Sequence, residues 1–168
     1  MSSFSVSLDE KRTWRYVFEA NLWERPKNKY GLPVNVLLDT GSFNTIVHEA
    51  LVKKYGVLLP QTMTTSVGGY KGESPLCVLH KFKIGNFVME KVIALAVPFE
   101  GELKDHILLG ANVTNNWHFA ISRYDNRLDI TEKLSKESLD RKYPYCYCFN
   151  NRGQIIALQE FELSEIKS

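Results

Sequence analysis

The stretch LLDTGSFNTIV, residues 37–47, sets one carboxylate between two apolar runs. Val34-Asn-Val-Leu-Leu38 leads into it as a strand, and Thr45-Ile-Val47 resumes as one after it. A carboxylate at the end of a buried strand is costly unless hydrogen bonds or a shared proton relieve it. Gly41 lets the backbone turn closely past Asp39, while Thr40 and Ser42 bring hydroxyls within reach. The neighbouring residues explain the turn but not the acid, which calls for a partner that the local sequence does not contain.

Working outward, short alternating runs broken by turn residues predict a β-rich chain. Thr13 to Leu22 alternates through Trp14, Tyr16, Phe18 and Ala20, followed by a polar loop over residues 24–31. His48 to Tyr55 reads as a short helix with Gly56 in the C-cap position. Met63 to Leu79 carries Val67-Gly-Gly-Tyr-Lys-Gly72 at its middle, which predicts a long hairpin with a glycine-rich tip. Gly85-Asn86 joins a second hairpin, from Val78 to Ile84 and from Phe87 to Val97. Ile107-Leu-Leu109 is a short apolar strand ending at Gly110, and residues 112–117 suit one or two helical turns. A third hairpin pairs Phe119-Ala-Ile121 with Leu128-Asp-Ile130. Residues 134–142 form a charged linker or surface helix, and Tyr143 to Phe149 with Gln154 to Leu163 makes a terminal hairpin.

The 168 residues suit one ordinary domain, and 44% hydrophobic content excludes a disordered chain. A net charge of +2 gives no strong pull toward nucleic acid or an acidic membrane. The N-terminus lacks a basic segment followed by an apolar run, and no stretch reaches membrane-spanning length, so a cytoplasmic location is expected. Three cysteines, Cys77, Cys146 and Cys148, fit reduced thiols; Cys146-Tyr-Cys148 has no second ligand pair to make a metal site. His48, His80, His106 and His118 show no paired spacing and suit surface or satisfied core roles. Trp14, Trp23 and Trp117 suit core or interface positions.

Asp39-Thr40-Gly41-Ser42 after an apolar strand resembles the active-site signature of aspartic proteases. Far downstream, LLGANVTNN, residues 108–116, is similar to the second motif of retroviral-type members, which often reads Ile-Ile-Gly-Arg-Asn. The glycine-rich hairpin lies between the two, so turn, flap and second motif come in the order of the retropepsin-like family. The resemblance covers about residues 13–132 and implies an all-β fold, a mostly antiparallel closed barrel of the acid-protease type with one or two short helices. Residues 133–168 are then a linker plus a C-terminal β-hairpin extension.

One motif per chain implies a homodimer with an Asp39 from each subunit at a two-fold axis. Such a pair shares a proton, and the ionised carboxylate activates water to attack a peptide bond. No metal or cofactor is required. The resemblance implies that Thr40 locks the two loops across the axis, that Gly41 leaves room for substrate, and that Ser42 donates to the outer oxygen of Asp39. Phe43, Val67, Gly68, Gly69 and Tyr70 become candidate substrate contacts, and Thr45, Leu108, Leu109, Gly110 and Asn112 candidate supports of the site. Where viral members pair an acid with an arginine, this chain has Phe43 and Ala111, so neither charge is left alone. Thr45 and Asn112 match the viral pattern and are expected to hydrogen-bond. The expected partners are a second copy and an extended peptide. The rival functions are a dimerising or peptide-binding module of the same fold that cleaves little, and a barrel in which Asp39 merely caps a turn.

Overall fold

The protein is described by a computed structural model over residues 3–11 and 15–157. Its elements are β1 (Ser3–Ser7), β2 (Val17–Leu22), β3 (Leu32–Leu38), β4 (Thr45–His48), α1 (Glu49–Tyr55), β5 (Gly56–Val67), β6 (Tyr70–Ile84) and β7 (Phe87–Val97). There follow β8 (His106–Leu109), α2 (Ala111–Thr114), β9 (Trp117–Ser122), β10 (Arg127–Glu132), α3 (Lys136–Leu139), β11 (Tyr147–Phe149) and β12 (Ile155–Ala157). The largest sheet runs β2-β3-β8-β4-β7-β6-β5, and a further pairing of β2 with β6 closes it into a barrel. Pairing is antiparallel except at β3–β8 and β4–β7. The all-β, closed acid-protease-type barrel expected from the sequence is therefore present, with three short helices among the described residues where one or two were expected.

The central strands read as continuous apolar runs because both of their faces are covered. Along β7, Val92, Ala94 and Ala96 join one buried cluster, while Ile93, Leu95 and Val97 join another. β8 divides the same way, with Ile107 and Leu109 on the first side and Leu108 on the second. Full burial of each of the valine, leucine and isoleucine side chains among these contributes roughly 1.5–3 kcal/mol. The first cluster is covered by the sheet β1-β10-β9, through Leu128, Ile130 and Trp117. The second is covered in part by Cys146 and Cys148 of the C-terminal segment.

The hairpins fall where turn residues predicted them. Val67 pairs with Tyr70 across Gly68 and Gly69, and Ile84 pairs with Phe87 across Gly85-Asn86. The terminal hairpin is shorter in its described part, Phe149 pairing with Ile155; the rest of its predicted second strand, with Thr13 and Trp14, lies outside the described residues. Gly56 does follow α1, but at φ −158° it continues straight into β5. A Cβ there would stand 2.5 Å from the Val78 carbonyl oxygen, so glycine serves a close strand approach and not a left-handed cap. β1 was not foreseen: Phe4 and Val6 are half-buried against the first cluster, and Ser3, Ser5 and Ser7 are exposed.

Candidate active site

Asp39 is the first residue beyond β3, and its loop is held from below by main-chain bonds to the second motif. Asp39 N donates to the Leu109 oxygen at 3.0 Å, Ala111 N to the Ser42 oxygen at 2.8 Å, and Asn112 N to the Phe43 oxygen at 3.1 Å. Leu108 and Leu109 lie in β8, and β3 runs parallel to β8 with Leu38 opposite Leu109. The approach is so close at Gly110 that a Cβ would meet the Asn44 carbonyl carbon at 2.2 Å, which no side chain tolerates.

Thr45 and Asn112 lock this junction as expected. Asn112 Oδ1 accepts from Thr45 N at 2.8 Å and from Thr45 Oγ1 at 2.9 Å, while Gly110 N donates to Thr45 Oγ1 at 3.2 Å. The Asn112 amide nitrogen donates to the Ile93 and Tyr147 oxygens. Both side chains are fully buried, so each unmade bond would carry a desolvation penalty of about 1–3 kcal/mol.

The tetrad itself faces outward: Asp39 and Ser42 are half-buried, and Thr40, Gly41 and Phe43 are exposed. Among the described residues the Asp39 carboxylate has no hydrogen-bond donor. Ser42 differs from expectation, because its hydroxyl donates to the Asn44 oxygen at 2.8 Å. That local bond, two residues along the chain, occupies the one proton that Asp39 was expected to receive.

Asp39, Thr40 and Gly41 line an open cleft of about 560 Å³ together with Arg15, Tyr16, Leu37, Leu103, Phe119 and Ile121. A neighbouring cavity of about 260 Å³ takes Val67 and Gly68 from the hairpin tip, and shares Arg15 and Leu103 with the first. Gly69 and Tyr70 are not among the described residues lining either space. Tyr70 folds back along its own hairpin, and its hydroxyl donates to the Glu73 oxygen at 3.2 Å. Arg15 stands between the two cavities, with Nη1 at 2.7 Å from Glu102 Oε1. Glu102 is largely exposed, so this pair contributes under about 1 kcal/mol to stability.

Sequence reasoning missed the far wall of the cleft. Phe119 and Ile121 alternate visibly in the sequence, but nothing local places β9 beside Asp39. Arg15 and Leu103 carried no signal at all. Phe43 finds its contact in the C-terminal segment, its ring lying 6.4 Å from that of Phe149. Of the histidines, His48 is the N-cap of α1, its Nδ1 accepting from Ala50 N at 3.1 Å, and His106 is buried in β8. Cys77, Cys146 and Cys148 are buried free thiols.

A pinned loop carrying an outward carboxylate, a closed barrel and a glycine-tipped hairpin define the acid-protease class. A sequence model described as aspartyl protease matches residues 28–113, and the chain belongs to that family. Among solved structures the chain is similar to a retropepsin-like aspartic protease from Rickettsia conorii, at 18% identity and a TM-score of 0.51. The similarity covers 77% of this chain and 90% of that one, and at such identity it speaks for the fold. Curated protein sequences returned no match. Among the described residues no helix is long and apolar enough to cross a membrane.

Proposed function

We propose that the chain is a homodimeric aspartic endopeptidase that hydrolyses peptide bonds in extended polypeptide segments. The observation that carries this is Asp39 itself, a half-buried carboxylate without a hydrogen-bond donor among the described residues, on a loop whose backbone is pinned and whose open side faces a cleft. One chain supplies half of the required pair. Two Asp39 carboxylates about 3 Å apart cannot both ionise, so they share a proton. The ionised one takes a proton from water as the water oxygen attacks the scissile carbonyl carbon; the neutral one hydrogen-bonds to the carbonyl oxygen. The C–N bond then breaks as a proton passes from the carboxyl pair to the leaving amine nitrogen.

Thr40 and Gly41, exposed beside Asp39, face the partner and the substrate backbone in this arrangement. The substrate lies extended in the cleft, its apolar side chains against Leu37, Leu103, Phe119 and Ile121. Val67, Gly68, Gly69 and Tyr70 form a flap over it, and Phe43 adds apolar surface at the edge. The enzyme works in a reducing, cytoplasmic setting, where burial keeps its thiols protonated: Cys77 and Cys146 are pushed up to about 12 and Cys148 to about 11.

The test is peptide-library cleavage across acidic and neutral pH, with the mass in solution measured alongside. Asp39→Asn should lower cleavage by at least about 10²–10⁴-fold while leaving the dimer intact. Cleavage equal in both proteins, or a chain that stays monomeric while active, would defeat the proposal. Undiminished peptide affinity with no cleavage by either protein would favour the binding module.

A further inference from the structure

We infer that β11 is a strut for the loop carrying Asp39, and that Asn44 is the positioning residue joining the two. The functional half of this inference rests on Asp39 being the catalytic carboxylate; the structural half does not.

β11 pairs with β12 along one edge. Its other edge is met largely by side chains and not by a strand. Within β11 the carbonyl oxygens of Tyr147 and Phe149 accept from Asn112 Nδ2 at 3.2 Å and from Asn44 Nδ2 at 2.7 Å, and two residues ahead of the strand the Tyr145 oxygen accepts from Ile93 N at 3.4 Å. Phe149 N in turn donates to Asn44 Oδ1 at 2.7 Å. One amide side chain thus satisfies both main-chain groups of Phe149, as a neighbouring strand would. The two asparagines come from the two halves of the site, the Asp39 loop and the second motif. β11 lies beyond the span that matches the family, which ends at residue 113.

Asn44 is where a pull from β11 reaches the catalytic turn. It is 6% exposed, and its main chain is the part wedged against Gly110. Its carbonyl oxygen accepts from Ser42 Oγ, and Ser42 N donates to the main-chain carbonyl oxygen of Asp39 at 3.2 Å. The ring of Phe43 lies against Phe149 one residue away. A shift of Asn44 therefore moves the turn at both Ser42 and Phe43. The C-terminal segment is held independently by Tyr145, whose hydroxyl donates to Glu132 Oε2 at 2.8 Å and accepts from Trp117 Nε1 at 3.1 Å.

Asn44→Asp tests the join with almost no change of shape. When ionised, the carboxylate of this variant accepts from Phe149 N but sets an oxygen against the Phe149 oxygen; once protonated, it donates there as asparagine does. At neutral pH, amide exchange over residues 39–45 should quicken about tenfold relative to the unaltered protein, and kcat should fall by up to about 10²-fold with KM within about threefold. Both ratios should recover as pH falls and the side chain takes up its proton. Asn44→Ala, which buries no charge, should quicken exchange at every pH without recovery. Tyr145→Phe should lower Tm and leave exchange over residues 39–45 unchanged.

The strut is overturned if neither Asn44 variant changes that exchange, or if Tyr145→Phe changes it equally. If exchange responds as expected but the unaltered protein shows no Asp39-dependent cleavage, the strut stands and the protease function fails. If cleavage depends on Asp39 but kcat is indifferent to Asn44, the positioning role fails alone.

Discussion

The junction beneath Asp39 and the β5–β6 hairpin, whose Val67 and Gly68 line the neighbouring cavity, solve opposite problems with the same short-range chemistry. At the junction, main-chain groups of Asp39, Gly110, Ala111 and Asn112 are bonded across chain segments far apart in sequence, and Thr45 and Asn112 fill the gaps between them. The hairpin is held by its own ladder from Val67↔Tyr70 inward, with Gly68 and Gly69 in left-handed conformations at φ 54° and 81°. Glycine serves proximity in the first place and backbone freedom in the second. The lesson is that the junction is over-determined by bonds from distant segments, whereas the hairpin tip is set by its own ladder, and a Cβ at Gly69 would meet nothing within 4 Å.

The largest expected effect follows from the junction. Gly110→Ala sets a methyl 2.2 Å from the Asn44 carbonyl carbon and 2.3 Å from its oxygen, and both are backbone. Backbone must move, at a cost above about 3 kcal/mol, and Tm should fall by about 6–12 °C or more. Thermal unfolding followed by circular dichroism reads this directly. A variant within about 2 °C of the parent, roughly one half-kcal/mol, would mean that the junction is not tightly determined.

The hairpin should respond far less, and its two glycines should differ. A Cβ at Gly69 meets nothing within 4 Å, so Gly69→Ala reports the backbone conformation alone, about 1 kcal/mol or roughly 2–4 °C. A Cβ at Gly68 meets Phe99 Cβ at 3.2 Å and the Glu100 oxygen at 3.3 Å, adding a tight contact that the neighbours must give way to, on top of the same strain. Gly68→Ala should therefore be the more destabilising of the two by calorimetry. Equal losses would show that the tip does not rest on the loop around Phe99.

Most of the barrel was legible because each hairpin announces itself locally, through turn residues such as Gly68-Gly69, Gly85-Asn86 and Asp125-Asn126 and apolar alternation along strands. β8 was visible as the wholly apolar run Ile107-Leu-Leu109, but the burial of both faces of β7 over residues 92–97 was not, because in the sequence that strand shows itself only as one arm of a hairpin. β1 carries alternation too, but three serines among five residues conceal a strand whose value lies in pairing with β10, as in Phe4↔Ile130. Gly56 shows the limit of a local rule: a cap position was read, but Val78 across the sheet decides the conformation. Within the site, the Thr45–Asn112 bond was readable from family spacing. The Asn44–Phe149 bond was not, because it joins a polar side chain to main-chain atoms 105 residues away, and main-chain partners leave no trace in residue identity. The Ser42 hydroxyl was misassigned for a similar reason, its acceptor being a carbonyl that every residue carries.

The smallest effect sharpens the comparison within one strand, since β6 serves the hairpin at one end and the barrel at the other. His80 lies in the barrel half, 8% exposed, with Nδ1 buried and without a hydrogen-bond partner among the described residues. It falls at the place opposite Lys91, between the pairs Leu79↔Val92 and Lys81↔Glu90. Burial first, and the Lys91 ammonium second, hold its pKa below the ordinary 6.5. The folded chain thus prefers neutral imidazole. Above the ordinary value neither state binds the proton and the contribution to stability is complete. As pH falls from there toward the lower folded value, the unfolded chain takes up a proton that the folded chain resists, and stability is lost. Removing the titrating group with His80→Gln should flatten the decline of Tm between about pH 7.5 and 5. Amide exchange should place the acid loss in Leu76–Ile84 before it reaches the hairpin tip. Parallel Tm curves for the two proteins would mean that imidazole protonation is not what loosens the barrel, and an acid loss appearing first at residues 67–70 would locate the pH-sensitive half of β6 in the hairpin instead.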